Sequence, residues 1–115
     1  MNNIEGTVRG PQGEERVTLM IDSGVMYSLL PERVWRRIGL SGAREQQFRL
    51  ADGSTITRAV SECEISLPQG RCHTPVVLGE PHDPEALLGV VTCEELGLVF
   101  DPFRRVLDRI QVLQL

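Results

Sequence analysis

Asp22-Ser23-Gly24 is the stretch of this chain whose residue types are best suited to chemistry. A carboxylate exchanges protons with water or with a second carboxylate, so it can serve as a general acid or base. At the end of an apolar strand its charge is costly unless donors hold it. The Ser23 hydroxyl can donate to it, and Gly24 permits a tight turn that brings backbone N–H groups inward. Ordinary turns of this composition are bordered by polar residues. This one lies between apolar Leu19-Met20-Ile21 and Val25-Met26, with Ser28-Leu29-Leu30 beyond. Hydrolysing a peptide bond with carboxylates takes two that share one proton: one ionised to accept from water, one protonated to donate to the carbonyl oxygen. The chain carries a single Asp-Ser-Gly, and Asp101-Pro102-Phe103 lacks the residues to build a second. An enzyme of this kind needs a twofold axis that pairs Asp22 with its copy.

The elements around the turn follow from periodicity. Val17, Leu19 and Ile21 alternate with Thr18 and Met20, a strand period that delivers Asp22 at its end. Ile4 to Val8 forms a preceding strand, joined through Gly10-Pro11-Gln12-Gly13. Tyr27 to Leu30 leaves the acidic turn as a short strand. Pro31-Glu32 opens a helix with proline at its first position, Val34 and Ile38 inward and Gly39 as its stop. Ser41 to Glu45 reads as a loop. Gln46 to Ala51 and Ser54 to Val60 flank Asp52-Gly53, a strong hairpin signal. Cys63 to Leu67 alternates as a half-buried strand, and Pro68-Gln69-Gly70 turns it into Cys72 to Leu78. Gly79 to Glu85 is too rich in proline and glycine for regular structure. Leu87 to Val91 reads as a buried strand, followed by a capping box with Thr92 as N-cap and Glu95 reaching back. Leu98 to Phe100 and Val106 to Leu115 are closing strands, the last apolar on both faces. The expected class is all-β, a small closed barrel with a short helix near the C-terminus, in one domain over 1–115.

Composition narrows the function classes. The 115 residues are 41% hydrophobic and 24% charged, which fits a packed domain and excludes disorder and membrane-spanning segments. A net charge of −4 without a basic block argues against nucleic acid as a partner. Met1 to Gly10 lacks an apolar run, so no signal peptide is expected. Cys63, Cys72 and Cys93 are an odd count without metal-type clustering, which predicts reduced thiols and a cytoplasmic location. His73 and the His82-Asp83 pair lack zinc spacing, so neither a metal nor a cofactor is expected. Cys93 falls at an expected helix start, which would lower its pKa, but no histidine is close in sequence. Arg33, Arg36 and Arg37 read as a solvated helix face.

Asp22-Ser23-Gly24, with Ser28 a few residues on, resembles the Asp-Thr/Ser-Gly signature of the single-domain, retropepsin-like aspartic proteases. The order of features from Val8 onward is similar to that family: acidic turn, Leu-Pro before a helix, hairpin, apolar-apolar-Gly, helix, terminal strand. The resemblance implies a retroviral-protease-like barrel and a homodimeric endopeptidase acting on peptides or proteins. It implies that Asp22 is catalytic and that Ser23 and Gly24 support it. Leu87, Leu88 and Gly89 resemble the strand that threads beside the acidic loop. Ala51, Asp52, Gly53 and Ser54 resemble the flap tip of bacterial and archaeal members and would cover substrate. Met26, Tyr27 and Val90 stand where viral members carry an acidic pair and an arginine, so the dimer must be held differently. In the family the chain termini of two subunits interleave, and Val106 to Leu115 resembles that element. The alternative is a catalytically silent binding or scaffold module with the same fold.

Overall fold

The computed structural model describes residues 2–22, 24–110, 112 and 114–115. Asn3–Gly10 (β1) and Gly13–Ile21 (β2) pair antiparallel along their whole length, from Asn3↔Met20 to Gly10↔Gly13. Ser28–Leu30 (β3) and Glu32–Arg37 (α1) follow, then a meander of Arg44–Arg49 (β4), Thr55–Leu67 (β5) and Gly70–Leu78 (β6). Ala86–Leu88 (β7), Val90–Glu95 (α2), Leu98–Asp101 (β8) and Val106–Arg109 (β9) complete the order.

The strand order β1-β2-β7-β3-β6-β5 returns to β1 through Val8↔Ile65, closing a six-stranded barrel. Closure removes the free edges that an open sheet would leave. Only the outer half of β5 pairs with β4, from Arg49↔Thr55 to Arg44↔Val60, so these strands form an arm extending from the barrel. Strands β8 and β9 form a separate two-stranded sheet. Val8, Leu19, Leu30, Ile38, Ile65 and Val76 fill the barrel with no exposed surface. Helix α1 contributes Val34 to the same core, and its Trp35 Nε1 donates to the Gly79 carbonyl at 3.0 Å. Gly39 ends that turn at φ +80°, a conformation that an L side chain resists.

The all-β barrel with short helices matches the sequence expectation, and several local boundaries move. Pro31 is the N-cap of α1 rather than its first helical residue. Arg44 and Glu45, expected in a loop, are the first residues of β4. The two strands expected on either side of Ser61-Glu62 are one continuous thirteen-residue strand, because its two halves serve the arm and the barrel in turn. The strand expected to run to Val91 stops at Leu88, and α2 starts at Val90 with Gly89 as N-cap, so Thr92 lies inside the helix and caps nothing. The strand expected through Leu115 ends at Arg109, and of the residues beyond it Gln111 and Leu113 lie outside the described set. Among the described residues no helix is long and apolar enough to cross a membrane.

Cys63, Cys72 and Cys93 are free thiols, and burial raises the pKa of each. Cys93, the fourth residue of α2, is therefore not activated by a helix start; its burial and the nearby Glu94 oppose ionisation. Cys63 is pushed from 9.0 to about 12, by burial first and then by Cys72 and Glu64. A thiol whose pKa is raised by folding contributes stability that is complete below its unfolded value and is lost as pH climbs toward the folded one. Unfolding free energy should hold steady up to about pH 9 and fall between about 9 and 12. Urea titrations across that range should show a shallower decline in Cys63→Ala than in the wild type.

Candidate active site

Strand β7 lies between the strand that enters the acidic turn and the strand that leaves it. It runs parallel to β2 in the register Met20↔Leu87 and Ile21↔Leu88, and Leu87 pairs antiparallel with Leu29 of β3. Asp22 sits just past β2, exposed, with its backbone N–H directed at the Leu88 carbonyl at 3.5 Å. Its Oδ1 accepts the Gly24 N–H at 2.9 Å, and its carbonyl accepts the Val25 N–H at 3.2 Å. Ser23 lies outside the described residues.

The turn is held from below by the start of α2. The first amides of a helix have no partner within it. Here the Val90 and Val91 N–H groups donate to the Val25 and Met26 carbonyls, both at 2.9 Å. These bonds explain the early start of α2, at two β-branched residues of modest helix propensity. Gly89 passes so close to the turn that an added Cβ would lie 2.4 Å from the Tyr27 carbonyl carbon and 2.6 Å from the Ser28 nitrogen. The Gly89 N–H donates to Ser28 Oγ at 3.0 Å. Ser28 Oγ is 2.6 Å from Thr92 Oγ1, which is 2.9 Å from Thr74 Oγ1. Three buried hydroxyls thus satisfy one another and join β3, α2 and β6 beneath the acidic turn.

Above the turn a cleft of about 660 Å³ separates the barrel from the β4–β5 arm. Val25, Tyr27, Leu29, Val77 and Leu87 form its floor. The arm presents two cross-strand pairs to it, Phe48↔Ile56 and Gln46↔Arg58. Tyr27 and Phe48 meet edge to face with ring centroids 5.7 Å apart, and Arg44 Nη2 donates to the Tyr27 hydroxyl at 3.1 Å. Tyr27, one of the departures from the viral pattern, therefore ties the arm to the exit of the acidic turn. Asp22 itself faces a second pocket of about 200 Å³, shared with Leu88, Val90, Val99, Phe100 and Ile110. Gly24 lines the cleft and Asp22 the smaller pocket, so the turn stands at their boundary.

Of the four residues expected to cover substrate, Ala51 lines the cleft, whereas Asp52, Gly53 and Ser54 do not. The Ser54 hydroxyl and N–H donate to Asp52 Oδ1 at 2.5 and 2.9 Å and hold that carboxyl below its ordinary range. Leu87 faces the cleft, and Leu88 and Gly89 face the smaller pocket. Phe48, Ile56, Arg58 and Thr74 escaped the sequence reading. The first three share one face of a hairpin, and alternation counted from Asp52-Gly53 was the available signal. His73 and His82 are exposed on different elements, and the described residues include no group of three or more His, Cys, Asp or Glu placed to hold a metal.

The sequence model of a family described as aspartyl protease matches residues 4–91. Solved structures that share the fold include two viral proteases. The solution structure of simian foamy virus (mac) protease is 15% identical at a TM-score of 0.57, covering 80% of this chain and 91% of that one. The EIAV protease complexed with the inhibitor HBY-793 is 15% identical at a TM-score of 0.60, covering 83% and 86%. No curated protein matches the chain in sequence.

The Gly89 contact is with backbone, so no rotamer change relieves it. Gly89→Ala should lower unfolding free energy by about 3 kcal/mol or more, by the mechanism of overpacking. Gly24→Ala, whose Cβ would meet only Asp22 Oδ1 at 3.2 Å, should change stability far less in the same urea titration.

Proposed function

The chain belongs to the aspartyl protease family, and on that premise we propose that it is a homodimeric aspartic endopeptidase with Asp22 from each subunit as its catalytic pair. The supporting observation is the acidic turn: a single exposed carboxylate, fixed by the Gly24 N–H and braced by Gly89 and the first amides of α2. One Asp22, ionised, takes a proton from water as the hydroxyl adds to the peptide carbonyl carbon. The other, protonated, donates to the carbonyl oxygen; collapse then breaks the C–N bond as the departing nitrogen takes up a proton. Ser23 and Gly24 position the carboxylate, Leu87 to Gly89 back the turn, and the arm with Ala51 to Ser54 at its end covers an extended peptide. The mechanism calls for no metal or cofactor, because the paired carboxylates polarise the water.

The second copy has a suitable surface beside Asp22. Val99 and Ile110 line the Asp22 pocket and are 52% and 37% exposed, and Val112 beyond them is 86% exposed. Apolar surface concentrated next to half of a dyad supports a symmetric contact there. The C-terminal segment that carries these side chains is the proposed contact. Free thiols suit a reducing compartment, and we place the single domain in the cytoplasm.

Asp22→Asn removes acid and base from both subunits at once. Cleavage of a peptide library should fall by several orders of magnitude, about what loss of both proton-transfer groups implies, with the fold intact by circular dichroism. Val99→Asp should give folded, inactive monomers in analytical ultracentrifugation. Full activity in Asp22→Asn would sink the proposal; wild type that binds peptides without cutting any would make the protein a binding module.

A further inference from the structure

On the underside of the arm lies a cation that the catalytic reading leaves without a role. Ile56 and Arg58 face the cleft along β5, and Arg58 is half-buried there opposite Gln46. A guanidinium has five N–H donors and stays charged, so partial burial calls for an anionic partner. The contacts of Arg58 are poor ones: Nη1 to the adjacent Thr57 carbonyl at 3.4 Å, and Nη2 to His82 Nε2 at 3.4 Å. Among the described residues no carboxylate oxygen comes within 4.0 Å of it. Asp83 lines the same cleft but is engaged in its own loop, accepting the Glu80 N–H at 2.9 Å and lying 3.8 Å from His82 Nε2. Of the other arm arginines, Arg44 donates to the Tyr27 hydroxyl and Gln46 Oε1 at 3.1 and 2.9 Å, and Arg49, which donates to the Gly53 carbonyl at 3.3 Å, is exposed and solvated rather than half-buried.

We infer that Arg58 is a specificity-determining residue, selecting peptides with an acidic side chain two positions from the apolar residue seated against Phe48 and Ile56. The inference rests on the reading of this cleft as a peptide site. Gln46↔Arg58 is two residues along both strands from Phe48↔Ile56, a separation of about 7 Å. Side chains two apart on an extended peptide project to the same side at the same spacing, about 7 Å. An apolar side chain on the Phe48–Ile56 pair therefore places that neighbour at Arg58. A peptide lying over the guanidinium removes water from it and strengthens a charge-assisted bond to a carboxylate.

The test is a positional scan with peptides blocked at both termini, Glu against Gln at each position around a central apolar pair. It reads kcat/KM on the wild type and, in parallel, binding to Asp22→Asn by fluorescence anisotropy. The expected result is one position, two residues from an apolar anchor, where Glu is favoured over Gln by about tenfold or more, the range of a charge-assisted bond. The preference should shrink with added salt, vanish in Arg58→Gln, persist in part in Arg58→Lys, and turn toward Lys peptides in Arg58→Glu. Discrimination that survives in Arg58→Gln, or no discrimination in the wild type, would each overturn it. Cleavage without such a preference removes the inference and leaves the peptidase reading. The Arg58-dependent preference in binding, with no cleavage of any peptide, removes the peptidase reading and leaves the inference.

Discussion

The contact between Gly89 and the backbone of Tyr27 and Ser28 governs the geometry of the acidic turn. At that point two chain segments approach more closely than any residue with a Cβ allows. The approach lets β7 lie between β2 and β3 and lets the Gly89 N–H reach the Ser28 hydroxyl. It also brings the first amides of α2 under the Val25 and Met26 carbonyls. A turn with its carbonyls tied down from beneath has little freedom, and the Gly24 N–H holds one oxygen of the exposed Asp22 carboxylate.

The buried hydroxyls beneath the acidic turn are paired with one another. Ser28, Thr74 and Thr92 are almost wholly inaccessible, and each would destabilise the core if its hydroxyl lacked a partner. Their mutual bonds make the cluster self-sufficient and join elements far apart in sequence. The thiols of the same interior take the other course. Cys63 and Cys93 behave as small apolar groups, held protonated by burial.

Strand β5 links the barrel to the cleft. Its inner half pairs with β1 and β6 and carries Ile65 into the core, while its outer half pairs with β4 and carries Ile56 and Arg58 over the cleft. The arm is thus rooted in the most buried part of the molecule and free at its end, with Tyr27–Phe48 and Arg44–Tyr27 as the contacts that settle it on the floor.

Asp22-Ser23-Gly24 in its apolar frame and the Asp52-Gly53 turn were legible in the sequence, because each depends on residues adjacent in the chain; Leu87-Leu88-Gly89 stood out there only by resemblance to a family motif, since Gly89 approaches Tyr27 and Ser28, far earlier in the chain. Alternation in Val17 to Ile21 and in Cys63 to Leu67 likewise fixed strands and inward faces, since period two is a local property. What sequence could not decide was set by partners distant in the chain. Val90 and Val91 read as strand and fold as helix because carbonyls some sixty-five residues earlier accept their amides. Thr92 reads as a cap and is a buried link because Ser28 and Thr74 come to it. Phe48 and Arg58 read as ordinary hairpin residues until closure of the barrel turns their face onto Leu29 and Leu87. Local periodicity determined the elements; the pairing of unsatisfied donors, acceptors and charges across the fold determined their ends and their roles.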